Sequence, residues 1–339
     1  MIKEAITLLV DEQPLTMAQA AGVMEEMTTG QITPAQFGAF VTALRLKGET
    51  ADEIAGLASV MRAKSVRVKT AEPMIDIVGT GGDNSRSFNI STTAAFVAAG
   101  AGIKIAKHNN RAMTSQCGSA DVLEALGMKI ELDASQVKDC LEKVGIGFMF
   151  APMFHPSMKF AAAPRREIGI RTIFNILGPL TNPALAESMV LGVPSEELGD
   201  KIATALCRMG TKRALVVHGL NGIDELSISG YSVLWEIDDG HVTSARRRIR
   251  PEDVGLNSAM DSILLGGTPP QNAEILRNVL NGERSARRDV VLLNAAAGIY
   301  IGGMSGSLAE AVTTAAAVID SGRALGKLDQ LISFSRDLA

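Results

Sequence analysis

The first 65 or so residues have the apolar spacing of α-helices. Apolar residues recur three and four positions apart, as in the segment FGAFVTAL at 37–44. Gly30 and Gly48 stand where two of these helices are expected to stop. This pattern predicts a small helical bundle. Three of its helices are preceded by a threonine with Gln or Glu three residues later, a capping box, at Thr16 with Gln19, Thr33 with Gln36, and Thr50 with Glu53.

From about residue 72 the pattern changes to short apolar runs. The runs IDIV at 75–78, IKIA at 103–106 and ALVV at 214–217 each lead into a polar or glycine-containing loop. Alanine-rich helical stretches follow the first two runs, at 92–99 and 119–126. The alternation predicts a parallel α/β sheet. In such sheets, ligands bind beyond the carboxyl ends of the strands.

Composition and charge limit the possible classes of protein. Of the 339 residues, 46% are hydrophobic and 21% are charged, which excludes a disordered chain and suits one large or two ordinary domains. The formal net charge is −4, so a general attraction to nucleic acid or an anionic membrane is not expected. The uncharged stretch at 290–309 is broken by glycine, serine and asparagine, which favours a buried helix over a membrane span.

Cysteine usage bears on the expected compartment. Cys117, Cys140 and Cys207 are odd in number and lack the spacing of metal ligands, which argues against a disulfide scaffold or a zinc site. Acidic residues among the first dozen positions argue against a secretory signal. We therefore expect a cytoplasmic protein.

A glycine loop follows the first predicted strand. The sequence GTGGD occupies 79–83, and a helix is expected to begin near residues 89–91. Glycines let backbone amides approach a ligand closely, and the start of a helix presents unpaired N–H groups. Together these features predict a phosphate or pyrophosphate cradle, although a simple tight turn between strand and helix explains the glycines equally well. The segment is neither a Walker loop nor a dinucleotide fingerprint.

A second polar segment, KHNNRAMTSQCGS, follows the next predicted strand. Its best functional interpretation is an anion clamp in which Lys107 contacts phosphate. The alternatives are a solvated loop and, for His108, an ordinary packing histidine. Asn109, Asn110, Arg111, Ser115 and Ser119 supply the other polar groups.

Two further segments carry charged residues suited to the same chemistry. Asp224 and Glu225, after the ALVV run, are hard oxygen ligands of the kind that Mg²⁺ uses together with substrate phosphates. Such a pair is also a common pattern at the start of a helix. The segment PRREIGIRTIFNILGPLTNP adds the planar guanidinium groups of Arg165, Arg166 and Arg171.

Other patterns point away from alternative chemistry. The basic stretch at 246–250 reads as an irregular, solvated face, because aromatic residues do not alternate with its arginines. No motif places a base beside a cysteine or a serine nucleophile. The sequence therefore predicts a reaction that depends on positioning and electrostatics, with a phosphorylated, magnesium-bound substrate.

The charged and glycine-rich segments, taken in order, resemble the anthranilate phosphoribosyltransferase family over nearly the whole chain. They are GTGGD, NISTTAAF, KHNNR, GSADVLEALG, RREIGIRTIFNILGPLTNP and HGLNGIDE. The resemblance implies an α/β fold related to the nucleoside phosphorylases, with a mostly parallel central sheet. A small helical domain at 1–70, completed by part of 160–190, would join a larger α/β catalytic domain at 71–339 that binds phosphoribosyl pyrophosphate (PRPP). Homodimers through the helical domain are also implied.

The activity that the resemblance implies belongs to tryptophan biosynthesis. The phosphoribosyl group of PRPP is transferred to the amine of anthranilate, with Mg²⁺ as cofactor, giving N-(5-phosphoribosyl)anthranilate and pyrophosphate. A pyrimidine nucleoside phosphorylase is the alternative within this fold, and a non-catalytic nucleic-acid-binding relative is the alternative outside enzymes. The net charge and the intact pair Asp224 and Glu225 disfavour the nucleic-acid reading.

The resemblance also implies a set of site residues. Ser91, Asp224 and Glu225 match the magnesium positions. Asn110, Arg165 and Gly79 match anthranilate contacts, with His108 beside them, and no residue is assigned as a general acid or base. The full set of expected substrate-binding residues is Gly79, Gly82, Asp83, Ser87, Asn89, Ile90, Ser91, Thr92, Lys107, His108, Asn110, Arg111, Ser115, Ser119 and Arg165.

One position departs from the family pattern. The family motif reads K-H-G-N-R, whereas this chain has Asn109 in place of the glycine. If the position requires positive φ, asparagine is the least costly replacement, but its side chain would still intrude on the acceptor site. We therefore expect Asn109 to weaken anthranilate binding, to lower turnover or to reflect an altered acceptor.

Overall fold

The computed structural model describes residues 1–83, 85–112 and 116–338. Its N-terminal part is the expected helical bundle. All three capping boxes are formed, since the hydroxyls of Thr16, Thr33 and Thr50 accept backbone N–H bonds and the third-position side chains return them. Gly48 has a φ of 86° directly after a helix, as predicted for a stop residue. The four helices are α1 (Ile2–Val10), α2 (Met17–Thr28), α3 (Pro34–Lys47) and α4 (Ala51–Ala63).

The larger part of the chain is built on one mostly parallel sheet, as expected. Within the described residues its seven strands have the order β3-β2-β1-β4-β5-β6-β7. The first five are parallel to one another, and the last two pair antiparallel. The strands are β1 (Ile75–Gly79), β2 (Ile105–Asn109), β3 (Ile146–Phe150), β4 (Ser188–Gly192), β5 (Arg213–Gly219), β6 (Ser232–Asp238) and β7 (His241–Ile249).

Helices connect these strands and cover the sheet. The first, α5 (Ile90–Gly100), begins just after the glycine loop and is buried along nearly its whole length. The helix α13 (Ala286–Ile301) confirms the buried helix predicted from the uncharged stretch. The remaining helices are α6 (Ser119–Ala125), α7 (Ala134–Lys143), α8 (Ala151–Phe154), α9 (Lys159–Ile168), α10 (Phe174–Leu177), α11 (Glu196–Arg208), α12 (Pro269–Leu280), α14 (Leu308–Asp320) and α15 (Arg323–Asp337).

The two faces of the sheet pack into two cores. Ile75 and Ile77 of β1 pack with α5 and α13, whereas Val78 packs into the core that contains the N-terminal helices and α11. The segment after β3 returns to this second core through α9 and α10, and the Phe174 ring stacks on Phe37 of α3 at 5.5 Å. Part of 160–190 thus contacts the helical bundle, while the domain division at residue 70 stays a prediction.

The strand order determines where a ligand can bind. From β1 the chain proceeds outward to β2 and β3, and then returns to place β4 on the other side of β1. The strand order therefore reverses between β1 and β4, whose last residues Gly79 and Gly192 are register partners. In open α/β sheets the crevice at such a reversal is the usual ligand site.

Two local predictions were wrong. The second strand does not span 103–106 but begins at Ile105 and continues through Lys107 and His108, because these polar side chains are buried in the strand and not solvated after it. The basic stretch at 246–250 is solvated as predicted, since its arginines are exposed, but it is not irregular, because most of it lies in β7. That strand is at the edge of the sheet, where one face and one side remain in solvent, so a strand without apolar alternation is tolerated.

None of the helices within the described residues is both long enough and apolar enough to span a membrane.

Candidate active site

A cleft of about 680 Å³ opens beyond the carboxyl ends of the central strands. The glycine loop and the start of α5 form one wall, and residues between 151 and 179 form the opposite wall. The cleft thus lies where the reversal of strand order predicts a ligand site. The expected residues that line it are Gly79, Gly82, Asp83, Ser87, Asn89, Ile90, Ser91, His108, Asn110, Arg111, Ser119, Arg165, Asp224 and Glu225.

The glycine loop needs its glycines for two physical reasons. Gly81 and Gly82 have φ values of 72° and 68°, a region that favours glycine. A Cβ on Gly79 would lie 2.2 Å from Oδ2 of Asp224, and one on Gly192 would lie 1.7 Å from its carbonyl oxygen. The ends of β1 and β4 therefore leave the room that Asp224 occupies. Gly192 was not anticipated from the sequence, because its role depends on the pairing of β4 with β1.

Asp224 and Glu225 form the acidic side of the cleft. The Gly81 N–H donates to Oδ2 of Asp224 at 2.6 Å, and the Ser91 N–H donates to Oε1 of Glu225 at 3.1 Å. Burial, followed by the charge of Asp83, raises the pKa of Asp224 to about 7. Burial and the neighbouring Asp224 charge also raise the pKa of Glu225 well above its usual value. Without a bound cation the two carboxyl groups therefore favour their protonated form, because a second negative charge is costly in the buried cleft.

Lys107 lies beneath the cleft wall and is 2% exposed. Its Nζ donates to the carbonyl oxygen of Ile77 at 2.6 Å and to Oγ of Ser91 at 3.5 Å. Burial lowers the pKa of Lys107, and the charges of Asp76 and Glu225 oppose that shift. The ammonium group is therefore close to the start of α5, behind the residues that face the ligand.

The other end of the cleft combines aromatic, basic and amide groups. The rings of His108 and His155 are 4.9 Å apart. Their four nitrogens are buried and have no hydrogen-bond partner among the described residues. Burial lowers the pKa of His108 to about 3 and that of His155 to about 4, so both rings are neutral near pH 7. The Arg165 guanidinium stands 5.1 Å from the centre of the Phe174 ring, and burial lowers its pKa.

Asn109 sits at the end of β2, beside Asn110, and lines the cleft. Its φ is not positive, so the backbone conformation does not explain why a glycine would be required here. Its Oδ1 accepts the N–H of Asn110 at 2.8 Å. The Asn109 side chain therefore takes up a backbone donor beside the proposed acceptor pocket.

Other predicted residues have partners within the protein. Thr92 is buried and its hydroxyl donates to Oγ of Ser119 at 2.9 Å, joining α5 to α6. Asn89 accepts from Nδ2 of Asn272 at 2.9 Å. The Arg111 guanidinium pairs with Glu124 and Asp121 at the rim of the cleft. Ser115 lies outside the described residues.

Arg171 joins the opposite wall to the glycine loop. Its guanidinium donates to the carbonyl oxygens of Gly81 and Gly82, with a distance of 2.8 Å to the first. It is thus held at the loop and not free for a ligand carboxylate. The sequence singled out Arg171 but gave no partner, since 90 positions separate it from the loop. Cleft residues that the sequence did not predict include His155, Met158, Lys159, Phe174, Asn175, Gly178 and Pro179.

The residues of the cleft could hold Mg²⁺ together with substrate phosphates, but they do not form a complete metal site by themselves. No group of three or more His, Cys, Asp or Glu side chains in the described part of the chain could hold a metal by itself. Mg²⁺ commonly takes one or two carboxylates and completes its shell with water and substrate phosphates. Asp224 and Glu225 offer hard oxygens beside an anion cradle, and a cation there would favour their ionised form, which matches that requirement.

Comparison with known proteins places the chain in a family. Residues 3–65 match the model of a glycosyl transferase family helical bundle domain, and residues 71–325 match that of a glycosyl transferase family a/b domain. These matches define a two-domain glycosyltransferase. The chain is 59% identical over 339 residues to the anthranilate phosphoribosyltransferase of Dehalococcoides mccartyi, covering 100% of this chain and 99% of the relative. It belongs to the anthranilate phosphoribosyltransferase family.

Solved structures agree with this assignment. The anthranilate phosphoribosyltransferase of Thermus thermophilus superposes with a TM-score of 0.92 at 42% identity, covering 98% of this chain and 99% of that one. The Saccharomyces cerevisiae enzyme in complex with PRPP and Mg superposes with a TM-score of 0.91 at 28% identity, covering 99% and 98%. The helical N-terminal part and the larger α/β part are therefore shared with enzymes of known structure.

Proposed function

We propose that this chain transfers the phosphoribosyl group of PRPP to the amine of anthranilate in the cleft at the ends of β1 and β4. The observation that carries the proposal is the meeting of two different surfaces in one cleft. The glycine loop, the start of α5 and the pair Asp224 and Glu225 suit a magnesium-bound pyrophosphate. Arg165, Asn110 and the neutral His108 suit an aromatic acid on the other side of the ribose.

The chemistry needs stabilisation of separated charge. Breaking the bond between ribose C1 and the pyrophosphate oxygen leaves positive charge on the ribose and negative charge on the leaving group. Backbone amides of the glycine loop and the nearby Lys107 ammonium stabilise that negative charge without reorganisation. Mg²⁺, held by Asp224, Glu225 and Ser91 together with the substrate phosphates, would supply further neutralisation when bound.

The acceptor requires orientation more than activation. The aniline nitrogen of anthranilate is already neutral near pH 7, so a strong general base is not needed. Arg165 binds the neighbouring carboxylate, and Asn110 helps to orient it. A pyrimidine nucleoside phosphorylase would bind inorganic phosphate and a nucleoside instead, and both the full-length relatives and this acid-binding surface favour the transferase.

A pair of lysine variants tests the assignment of Lys107. Lys107→Met keeps the length of the side chain and removes its charge, so we expect kcat to fall about a hundredfold to a thousandfold. Lys104→Met is the matched control, because Lys104 pairs with Glu72 on the surface. A Lys107→Met enzyme with the kcat of the control would remove Lys107 from the mechanism.

An arginine variant tests the acceptor pocket. In Arg165→Gln we expect the KM for anthranilate to rise while the KM for PRPP stays near that of the parent enzyme. A rise in the KM for PRPP alone would show that Arg165 contacts PRPP and not anthranilate.

Assembly and location complete the proposal. Homodimer formation through the helical bundle is supported by the exposed apolar side chains of Val10 and Leu46, which are 66% and 83% exposed. Light scattering of the parent and of Leu46→Glu tests the interface, since a monomer in both would contradict it. The three cysteines are free, in keeping with the expected reducing cytoplasm.

A further inference from the structure

The helix α5 begins after an asparagine whose side chain does not cap it. Asn89 occupies the position before the helix, where an asparagine oxygen usually accepts a backbone N–H of the first turn. The Asn89 side chain makes no such bond to α5. Its oxygen instead accepts from Nδ2 of Asn272 at 2.9 Å and lies 3.5 Å from Sγ of Cys117. The first-turn N–H groups are therefore not taken up by Asn89.

The hydrogen bonds on either side of this contact determine which way both amides face. The Gly267 N–H can only donate, and it bonds to Oδ1 of Asn272 at 2.7 Å. The Cys117 carbonyl can only accept, and Nδ2 of Asn89 donates to it at 3.3 Å. Nδ2 of Asn272 and Oδ1 of Asn89 thus face each other, and neither amide can rotate without losing a hydrogen bond.

Asn272 has a fixed place behind the cleft wall. It is 2% exposed, lies in the first turns of α12 and is not among the residues that line the cleft. Two backbone bonds join the segment before α12 to the loop before α5, from the Phe88 N–H to the Leu264 oxygen at 2.9 Å and from the Gly266 N–H to the Arg86 oxygen at 2.8 Å. A Cβ on Gly266 would lie 2.9 Å from the Phe88 nitrogen, so the two segments are in close contact.

We propose that Asn272 is a positioning residue for the binding of PRPP. By holding the Asn89 oxygen, it keeps that side chain from capping α5 and leaves first-turn N–H groups available to a substrate phosphate. Without Asn272, the Asn89 oxygen is free to turn back to the helix and to compete with the phosphate. This inference rests on the proposed function and adds to its PRPP site a residue that lies outside the cleft.

A purely structural role for Asn272 has a different signature. If Asn272 only stabilises the fold, its loss should affect both substrates, and the effect should be the same whether or not residue 89 is an asparagine. If it acts through Asn89, its loss should affect PRPP alone and should have no further effect once the Asn89 amide is removed. A double-mutant cycle separates the two roles.

The test is steady-state kinetics of the full chain with Mg²⁺, with each substrate varied in turn. The variants are Asn272→Ala, Asn89→Ala and the double variant, and alanine at 272 keeps α12 helical. We expect Asn272→Ala to raise the KM for PRPP about fivefold to tenfold and to change the KM for anthranilate less than about twofold. In the Asn89→Ala background the same replacement should change the KM for PRPP less than about twofold. Asn278→Ala, at an exposed asparagine of α12, is the control and should match the parent.

Two results would overturn the inference. One is an equal rise in the KM for PRPP in both backgrounds, and the other is an unchanged KM for PRPP in folded Asn272→Ala. If Asn272→Ala does not fold, the amide resonance of Thr92 in the parent decides, because this first-turn N–H should shift when PRPP and Mg²⁺ are added. An unmoved Thr92 resonance at saturation would also overturn the inference. Failure of the parent to consume anthranilate with PRPP and Mg²⁺ would instead overturn the proposed function.

Discussion

Asn182 donates from Nδ2 to Oδ2 of Asp76 at 2.7 Å and to the carbonyl oxygen of Ala106 at 2.8 Å. All three residues are buried, and burial raises the pKa of Asp76 to about 6. These two hydrogen bonds hold the segment that carries Gly178 and Pro179 of the cleft wall against β1 and β2. A buried polar contact therefore sets the position of one wall relative to the other.

Replacing Asn182 with alanine should destabilise the protein. The change leaves the Asp76 carboxylate buried without its amide donor, and we expect a loss of about 2 to 4 kcal/mol in the free energy of unfolding. Urea denaturation at pH 7 measures it. Asn257→Ala, at an exposed asparagine, is the control and should change stability little. Equal effects of the two changes would show that the buried bond contributes nothing.

The neutral histidine pair predicts a sensitivity to acid. The pKa of His155 is lowered to about 4 in the folded protein, so its contribution to stability is present above the unfolded pKa near 6.5 and is lost as the pH falls toward 4. Between pH 7 and pH 5 the parent should lose about 2 kcal/mol more than His155→Gln.

The same comparison cancels Asp76, whose raised pKa acts in the opposite direction over this range. His241→Gln, at an exposed histidine of β7, serves as the control. Chemical denaturation at each pH provides the data. Parallel pH profiles of the parent and His155→Gln would contradict the buried, neutral state of the ring.

Asn109 should affect anthranilate and not PRPP. In Asn109→Gly the Asn110 N–H loses its side-chain partner and the pocket gains space, so we expect a lower KM for anthranilate or a higher kcat. The KM for PRPP should stay the same, because the cradle lies on the other side of the cleft. Steady-state kinetics with each substrate varied in turn give both values. If all the constants are unchanged, Asn109 has no influence on the acceptor.

Lys47 and Glu53 form a buried ion pair in the helical bundle. The Nζ to Oε2 distance is 2.9 Å, and the side chains are 7% and 0% exposed. Lys47→Met should cost about 3 to 5 kcal/mol, because Glu53 also serves the capping box and cannot leave. Lys64→Met breaks the exposed pair with Glu25 and should cost less than about 1 kcal/mol. Thermal or urea unfolding measures both losses. A larger loss of stability in Lys64→Met than in Lys47→Met would show that the buried pair is not the more stabilising one.

The sequence predicted the features that depend on near neighbours. The capping box of Thr33 and Gln36 and the loop from Gly79 to Asp83 are local, so spacing alone reveals them. Gly192, His155 and the partner of Arg171 depend on strand order and on the return of the chain after β3, which local patterns do not contain. Lys107 was predicted to contact phosphate, and its burial was missed because a polar residue usually ends an apolar run.

The proposed function depends on one reaction in one cleft. The most direct test mixes the purified full chain with PRPP, Mg²⁺ and anthranilate, and follows the loss of anthranilate fluorescence together with the release of pyrophosphate. We expect the two to proceed in equal amounts and to stop when EDTA removes the metal. Stable anthranilate fluorescence with folded protein, or pyrophosphate release without anthranilate consumption, would contradict the proposed function.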